Sequence, residues 1–152
     1  MNRRQLRIIR NFVIVTVATI VAAFGMVELK NSVNRSEAIR AMGQLGKVVS
    51  DYRQKNGSVP PETYVNELKE NLEGQVRVGE LQYRARWIEF NSPPDTILAY
   101  VRKDYHSLFF RPGVIVLRLD GRIEWMDRTS FDKEFARQQK PLETELTPPT
   151  RY

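Results

Sequence analysis

The sequence predicts an α+β protein. A single N-terminal transmembrane helix continues into a long amphipathic helix, which packs on a small antiparallel β-sheet. Three observations carry this expectation. An uncharged apolar run, "FVIVTVATIVAAFGMV" from Phe12 to Val27, stands behind four arginines. No proline interrupts the chain from Leu6 to Val59, and its apolar residues keep a helical period. From Val76 onward the period changes to two, with turn residues between the runs.

The N-terminal element is read as residues 1–11, cytoplasmic and basic, followed by a transmembrane helix over 12–29. The apolar run is slightly short of the roughly 20 residues a bilayer requires. Ile8, Ile9 and Leu29 extend it, and Arg10 and Lys30 can snorkel to the interfaces. Arg3, Arg4, Arg7 and Arg10 place the N-terminus in the cytoplasm by the positive-inside rule and export the chain beyond about Lys30. The expected location is therefore the cytoplasmic (inner) membrane, crossed once, with the lipid bilayer as partner. The competing reading is a cleavable signal peptide, for which Val21-Ala22-Ala23 supplies small residues.

Charge agrees with this placement. The 152 residues carry a net charge of +6, but without those four arginines 20 basic residues face 18 acidic ones. The excess sits ahead of the apolar run rather than on a folded face, so no nucleic-acid partner is expected. With no cysteine, disulfides and thiolate metal sites are excluded.

The exported domain is expected over residues 30–140. Ile39, Met42, Leu45, Val49 and Tyr52 recur at steps of three and four, and the first four are assigned to the core. One helix of some 45–50 residues, on the order of 70 Å, is expected to run out of the membrane into the domain. Gly57 ends it and Pro60-Pro61 prevent continuation. A short helix opens at Pro61 and Glu62, with Tyr64, Leu68 and Leu72 on one face until Gly74. Strands come next: Val76 and Val78, then Leu81, Tyr83, Ala85 and Trp87, then Thr96–Lys103 after a turn over Asn91–Asp95. Val114–Leu119 and Arg122–Met126 make the last hairpin. Thr129 or Ser130 caps a closing helix, "FDKEFARQQ". Residues 141–152, with three prolines, read as a disordered tail.

The hairpin "VIVLRLDGRIEWMD" raises the question of chemistry. Asp120, Glu124 and Asp127 resemble a cation or catalytic cluster. Asp120-Gly121, however, is a strong signal for a two-residue type I′ turn. That turn pairs Leu119 with Arg122, Val116 with Trp125 and Arg118 with Ile123. Val114, Val116, Ile123 and Trp125 then share a face towards the long helix. The three acids diverge in this geometry, so Asp120 and Gly121 are assigned to the turn, and Val116 and Trp125 to the core. His106 has no second histidine or cysteine for a metal site. No phosphate loop or nucleophile elbow is present. Arg84, Arg86, Arg102 and Lys103 are read as a solvated sheet face. No catalytic residue, cofactor or metal is expected.

The long helix followed by "YRQKNGSVPP" and a small sheet resembles the type IV pilins and type II secretion pseudopilins. Tyr52, Asn56-Gly57 and Pro60 carry the likeness at the close of the first helix. "VLRLDGRIEWM" is similar to the Asp-Gly segment of bacterial prepilin-like proteins with a C-terminal His–nine residues–Asp-Gly signature, which is degenerate here because Phe110 replaces the histidine. Phe12 matches the phenylalanine that follows the family's cleavage point, whereas Asn11 stands at its glycine and Thr16 at its glutamate. The resemblance implies a pilin-like fold without peptidase processing. It also implies a non-enzymatic role in assembly of, or binding at, a secretion- or pilus-type envelope system, with other envelope or pseudopilus proteins as partners. The alternative is a secreted or tethered ligand- or protein-binding module that borrows the fold.

Overall fold

The structure, a computed structural model, describes residues 3–71, 79–104, 111–141 and 143. Helix α1 spans Arg3–Asn56, 54 residues without a break, or about 80 Å at 1.5 Å per residue. It is a little longer than the roughly 45–50 residues expected. Gly57, at φ 71°, ends it, and its N–H donates to Arg53 O at 2.8 Å. This is the left-handed closure that glycine makes without strain. Helix α2 is Glu62–Asn71. Its anchor is Val65, 1% exposed, rather than Tyr64, which lies at the surface against Tyr52 with ring centres 5.4 Å apart.

Among the described residues the sheet has four strands: β1 Leu81–Tyr83, β2 Ile97–Lys103, β3 Gly113–Arg118 and β4 Ile123–Asp127. They pair antiparallel in the order β1-β2-β3-β4. The expected alternation through Ala85 and Trp87 does not hold. Arg84 turns inwards, and Ala85–Trp87 wind into a 3₁₀ turn closed by Trp87 N–H to Arg84 O at 2.9 Å. Val76 and Val78 lie outside the described residues, as do Leu72 and Gly74. Helix α3, Arg128–Gln138, follows β4.

The β3–β4 hairpin differs from the sequence expectation by one residue. Gly121 N–H donates to Arg118 O at 2.9 Å, and Arg118 N–H donates to Arg122 O at 2.8 Å. Leu119-Asp120-Gly121 therefore form a three-residue loop. Gly121 has φ 86° and no non-glycine residue among those described has positive φ, whereas a type I′ turn needs positive φ at both central residues. This is the G1-bulge connection. The extra loop residue pairs Ile115 with Trp125, Val116 with Glu124 and Leu117 with Ile123, and a one-residue slip exchanges the faces of a strand.

Two cores result, one on each face of the sheet. Ala38, Ala41, Met42, Leu45 and Val49 of α1 pack with Val65, Leu98, Val101, Ile115 and Leu117. Ile39, Ile123 and Trp125 lie half-buried against them. Gly46 lets α1 approach closely, since a Cβ there would meet Leu117 Cδ1 at 3.0 Å. On the opposite face Val114 and Val116 join Ile97, Tyr100, Phe131 and Phe135 under α3. Val116 is thus a core residue, but of the layer facing away from the long helix. The sheet face expected to be solvated is covered by α3.

Candidate functional site

The acidic residues of the hairpin have separate structural tasks. The Asp120 carboxylate accepts from Arg122 N–H at 3.0 Å and from Arg122 Nε at 2.6 Å. Although burial works against its charged form, these bonds hold its pKa below the usual carboxylate range. Glu124 pairs with Arg118 across the sheet. Asp127 caps α3 by accepting from Ser130 N–H at 3.0 Å, a task expected of Thr129 or Ser130. Hydrogen bonds from Ser130 keep its pKa low too. No group of acidic or histidine side chains suited to a metal ion occurs among the described residues; Tyr105, His106 and Phe110 lie outside them.

This geometry sets an order for mutants at the turn. Gly121→Val should lower stability by more than ~1 kcal/mol, because a β-branched residue is strained at φ 86°. Asp120→Asn should be nearly neutral, since asparagine keeps an acceptor for Arg122 N–H. Melting curves with calcium and with chelator should coincide. A calcium-dependent shift that disappears in Asp120→Asn would refute the turn assignment.

The basic residues do not form one strip. Arg102 reaches over the Phe131 ring, 5.6 Å from its centre, and meets Asp132 at 3.4 Å. Arg86 is exposed on the 3₁₀ turn. Lys103 is half-buried, and burial pushes its pKa down. Arg84 is buried, at 4% exposure, in a bidentate pair with Glu143. Glu143 is 2% exposed, and residues 142 and 144–152 of the expected tail lie outside the described residues.

Arg118 is buried between strands and α3. It donates to Glu134 at 2.7 and 3.2 Å and to Asp95 O. Its hydrogen bond, above all, lowers the Glu134 pKa from about 4.5. A lowered folded pKa means the pair stabilises fully above the unfolded value and loses its effect as pH falls through the folded one. Below about pH 4.5, wild-type melting temperature should therefore fall more steeply than that of Glu134→Gln. Equal acid slopes would contradict this assignment.

The surface that departs most from an ordinary folded domain is the first half of α1. Every large apolar side chain from Leu6 to Leu29 is 47 to 73% exposed. The stretch is long and apolar enough to cross a membrane, and none of its apolar window is buried. Leaving so many side chains in water costs on the order of 20 kcal/mol relative to apolar surroundings. Lipid removes that cost. The chain is a membrane-associated, helix-on-sheet protein, and α1, the one helix among the described residues that is long and apolar enough to cross a membrane, is suited to single-pass anchoring.

At the far end of the domain, a groove of about 570 Å³ runs between the connection after β1 and the end of α3. Arg84, Trp87, Asn91, Thr96 and Arg137 border it. Searches of family models, curated proteins and solved structures find no match to this chain.

Proposed function

We propose that this is a non-enzymatic, single-pass, pseudopilin-like subunit of a secretion- or pilus-type envelope assembly. Its N-terminus lies in the cytoplasm and its domain outside. The supporting observation is the continuity of α1. One helix carries the arginines, the uncovered apolar stretch and the core residues Ala38 to Val49 without interruption. Lateral packing of such helices in the bilayer would fix the positions of the domains as well, because no linker lies between them. The groove beyond the sheet favours a second reading, a tethered module that binds a ligand there.

A cysteine-free chain makes the test direct. Single cysteines placed along residues 12–29 should give disulfide-linked multimers in native membranes, on one helical face only. N-terminal sequencing of the same material should find Met1 or Asn2. Membrane-bound chains with no crosslink at any position would favour the tethered module. A soluble form beginning at Phe24 would make residues 1–23 a signal peptide.

A further inference from the structure

We propose that the groove between the Trp87–Thr96 connection and the end of α3 binds a neutral oligosaccharide. The Trp87 ring carries the apolar face of a sugar, and Asn91, Asp95 and Arg137 take its hydroxyls. At about 570 Å³ the groove falls within the roughly 300–1,000 Å³ of small-molecule sites. Both of its walls are fixed by the fold. On one side Glu89 N–H donates to Ser92 Oγ at 2.8 Å, Ser92 N–H to Glu89 O at 3.1 Å and Thr96 N–H to Pro93 O at 3.0 Å. Bonds from Leu119 N–H to Thr96 O at 2.9 Å and from Asp120 N–H to Pro94 O at 3.0 Å tie this connection to the hairpin loop. On the other side the Gln138 amide accepts from Ile97 N–H at 2.8 Å and donates to Glu134 at 3.1 Å, which docks the end of α3 on β2. A site held in this way loses little freedom when a ligand arrives.

The lining selects the class of ligand. Among its described residues the charges balance: Arg84 pairs with Glu143 and Lys140 with Glu89, and Arg137 and Asp95 add one charge of each sign. A phosphate or an ammonium therefore meets no excess field of opposite sign. Trp87 and Pro93 supply the apolar part of the lining, too little to enclose a hydrophobic ligand. These residues match a molecule with one flat C–H face and a rim of hydroxyls. A sugar hydroxyl both donates and accepts, and the planar side chains offer each complement. The Asp95 carboxylate accepts, the Arg137 guanidinium donates, and the Asn91 amide does both. Asn91, Asp95 and Arg137 are exposed and Trp87 is half-buried, so all four are within reach from solvent. The indole adds a large rigid surface with few torsions to freeze. Copies anchored in one bilayer would meet successive units of one polysaccharide, so a weak single site suffices.

Trp125→Phe leaves Trp87 as the one tryptophan of the chain, so its fluorescence reports the groove directly. The full chain, in a detergent without a sugar headgroup, is titrated with the trisaccharides of glucose, galactose and N-acetylglucosamine. Inorganic phosphate and a neutral tripeptide are titrated in parallel. At least one trisaccharide should change the Trp87 emission saturably, and neither phosphate nor the tripeptide should. Asn91→Ala and Arg137→Ala, at exposed positions, should each weaken that binding at least threefold without moving the melting temperature. Trp87→Ala should abolish it, read by saturation-transfer NMR on the sugar protons; if that variant fails to fold, the two exposed ones decide. Saturation by phosphate or the tripeptide alone overturns the saccharide but keeps the tethered-module reading on which it rests, which crosslinks along residues 12–29 test by themselves. No saturation by any probe, or trisaccharide binding indifferent to both Asn91 and Arg137, overturns the proposal outright.

Discussion

Phe131→Ala should destabilise the domain by about 3–5 kcal/mol, the usual range for emptying a fully buried phenylalanine site. Phe131 is 0% exposed. Its ring centre lies 4.9 Å from that of Tyr100 and 5.2 Å from that of Phe135. Ile97, Val114 and Val116 close the rest of the cluster. Collapse into the vacated volume is limited, because Tyr100, Val114 and Val116 are fixed on paired strands and cannot follow α3 inwards. A sheet with one solvated face predicts another result, since surface changes usually stay within about 0.5 kcal/mol. Thermal unfolding of the full chain in micelles, followed by circular dichroism, separates the two. A shift no larger than that of an exposed control, such as Asp132→Ala, would mean that α3 does not seal a second core.

That layer shows where sequence reasoning stopped. The long helix was legible because Ile39, Met42, Leu45 and Val49 repeat at helical spacing between polar neighbours. The hairpin was legible in existence but not in register. Val114, Ile115, Val116 and Leu117 are all apolar, so alternation cannot say which pair faces α1, and loop length alone decides. The two-residue and three-residue readings of Leu119-Asp120-Gly121 differ in backbone angles that the residue types permit either way. The cap of α3 moved from Thr129 or Ser130 to Asp127 because it depends on where β4 ends. Arg84 and Glu143 carry no local signal: a lone charge in a sequence looks the same in solvent as in a buried pair 59 residues apart. The three acids of the hairpin diverge as expected, Asp120 to Arg122, Glu124 to Arg118 and Asp127 to the N-terminus of α3.

Gly113→Val should be as damaging as Phe131→Ala, about 3 kcal/mol or more, and for the opposite reason. Gly113 pairs with Asp127 at the end of the sheet nearer the apolar half of α1, and Trp125 is its diagonal neighbour on the α1 face. The Trp125 ring occupies the space above the glycine. A Cβ built at Gly113 would lie 2.4 Å from Trp125 Cζ2 and 2.7 Å from Met126 O. Neither obstacle yields easily. The Arg35 guanidinium sits over the ring at 4.2 Å from its centre, and the carbonyl belongs to a paired strand. Overpacking commonly costs about 1–3 kcal/mol, and more where backbone must move. Trp125→Ala alone should cost about 2 kcal/mol, less than a fully buried tryptophan, because the ring is half-buried. The double variant Gly113→Val/Trp125→Ala should be more stable than the two losses added together, since removing the ring relieves the closest contact. It should not recover fully, since Met126 O remains. Urea unfolding of the four chains measures this coupling directly, as only contacting residues depart from additivity. Strict additivity would show that Trp125 does not lie on Gly113.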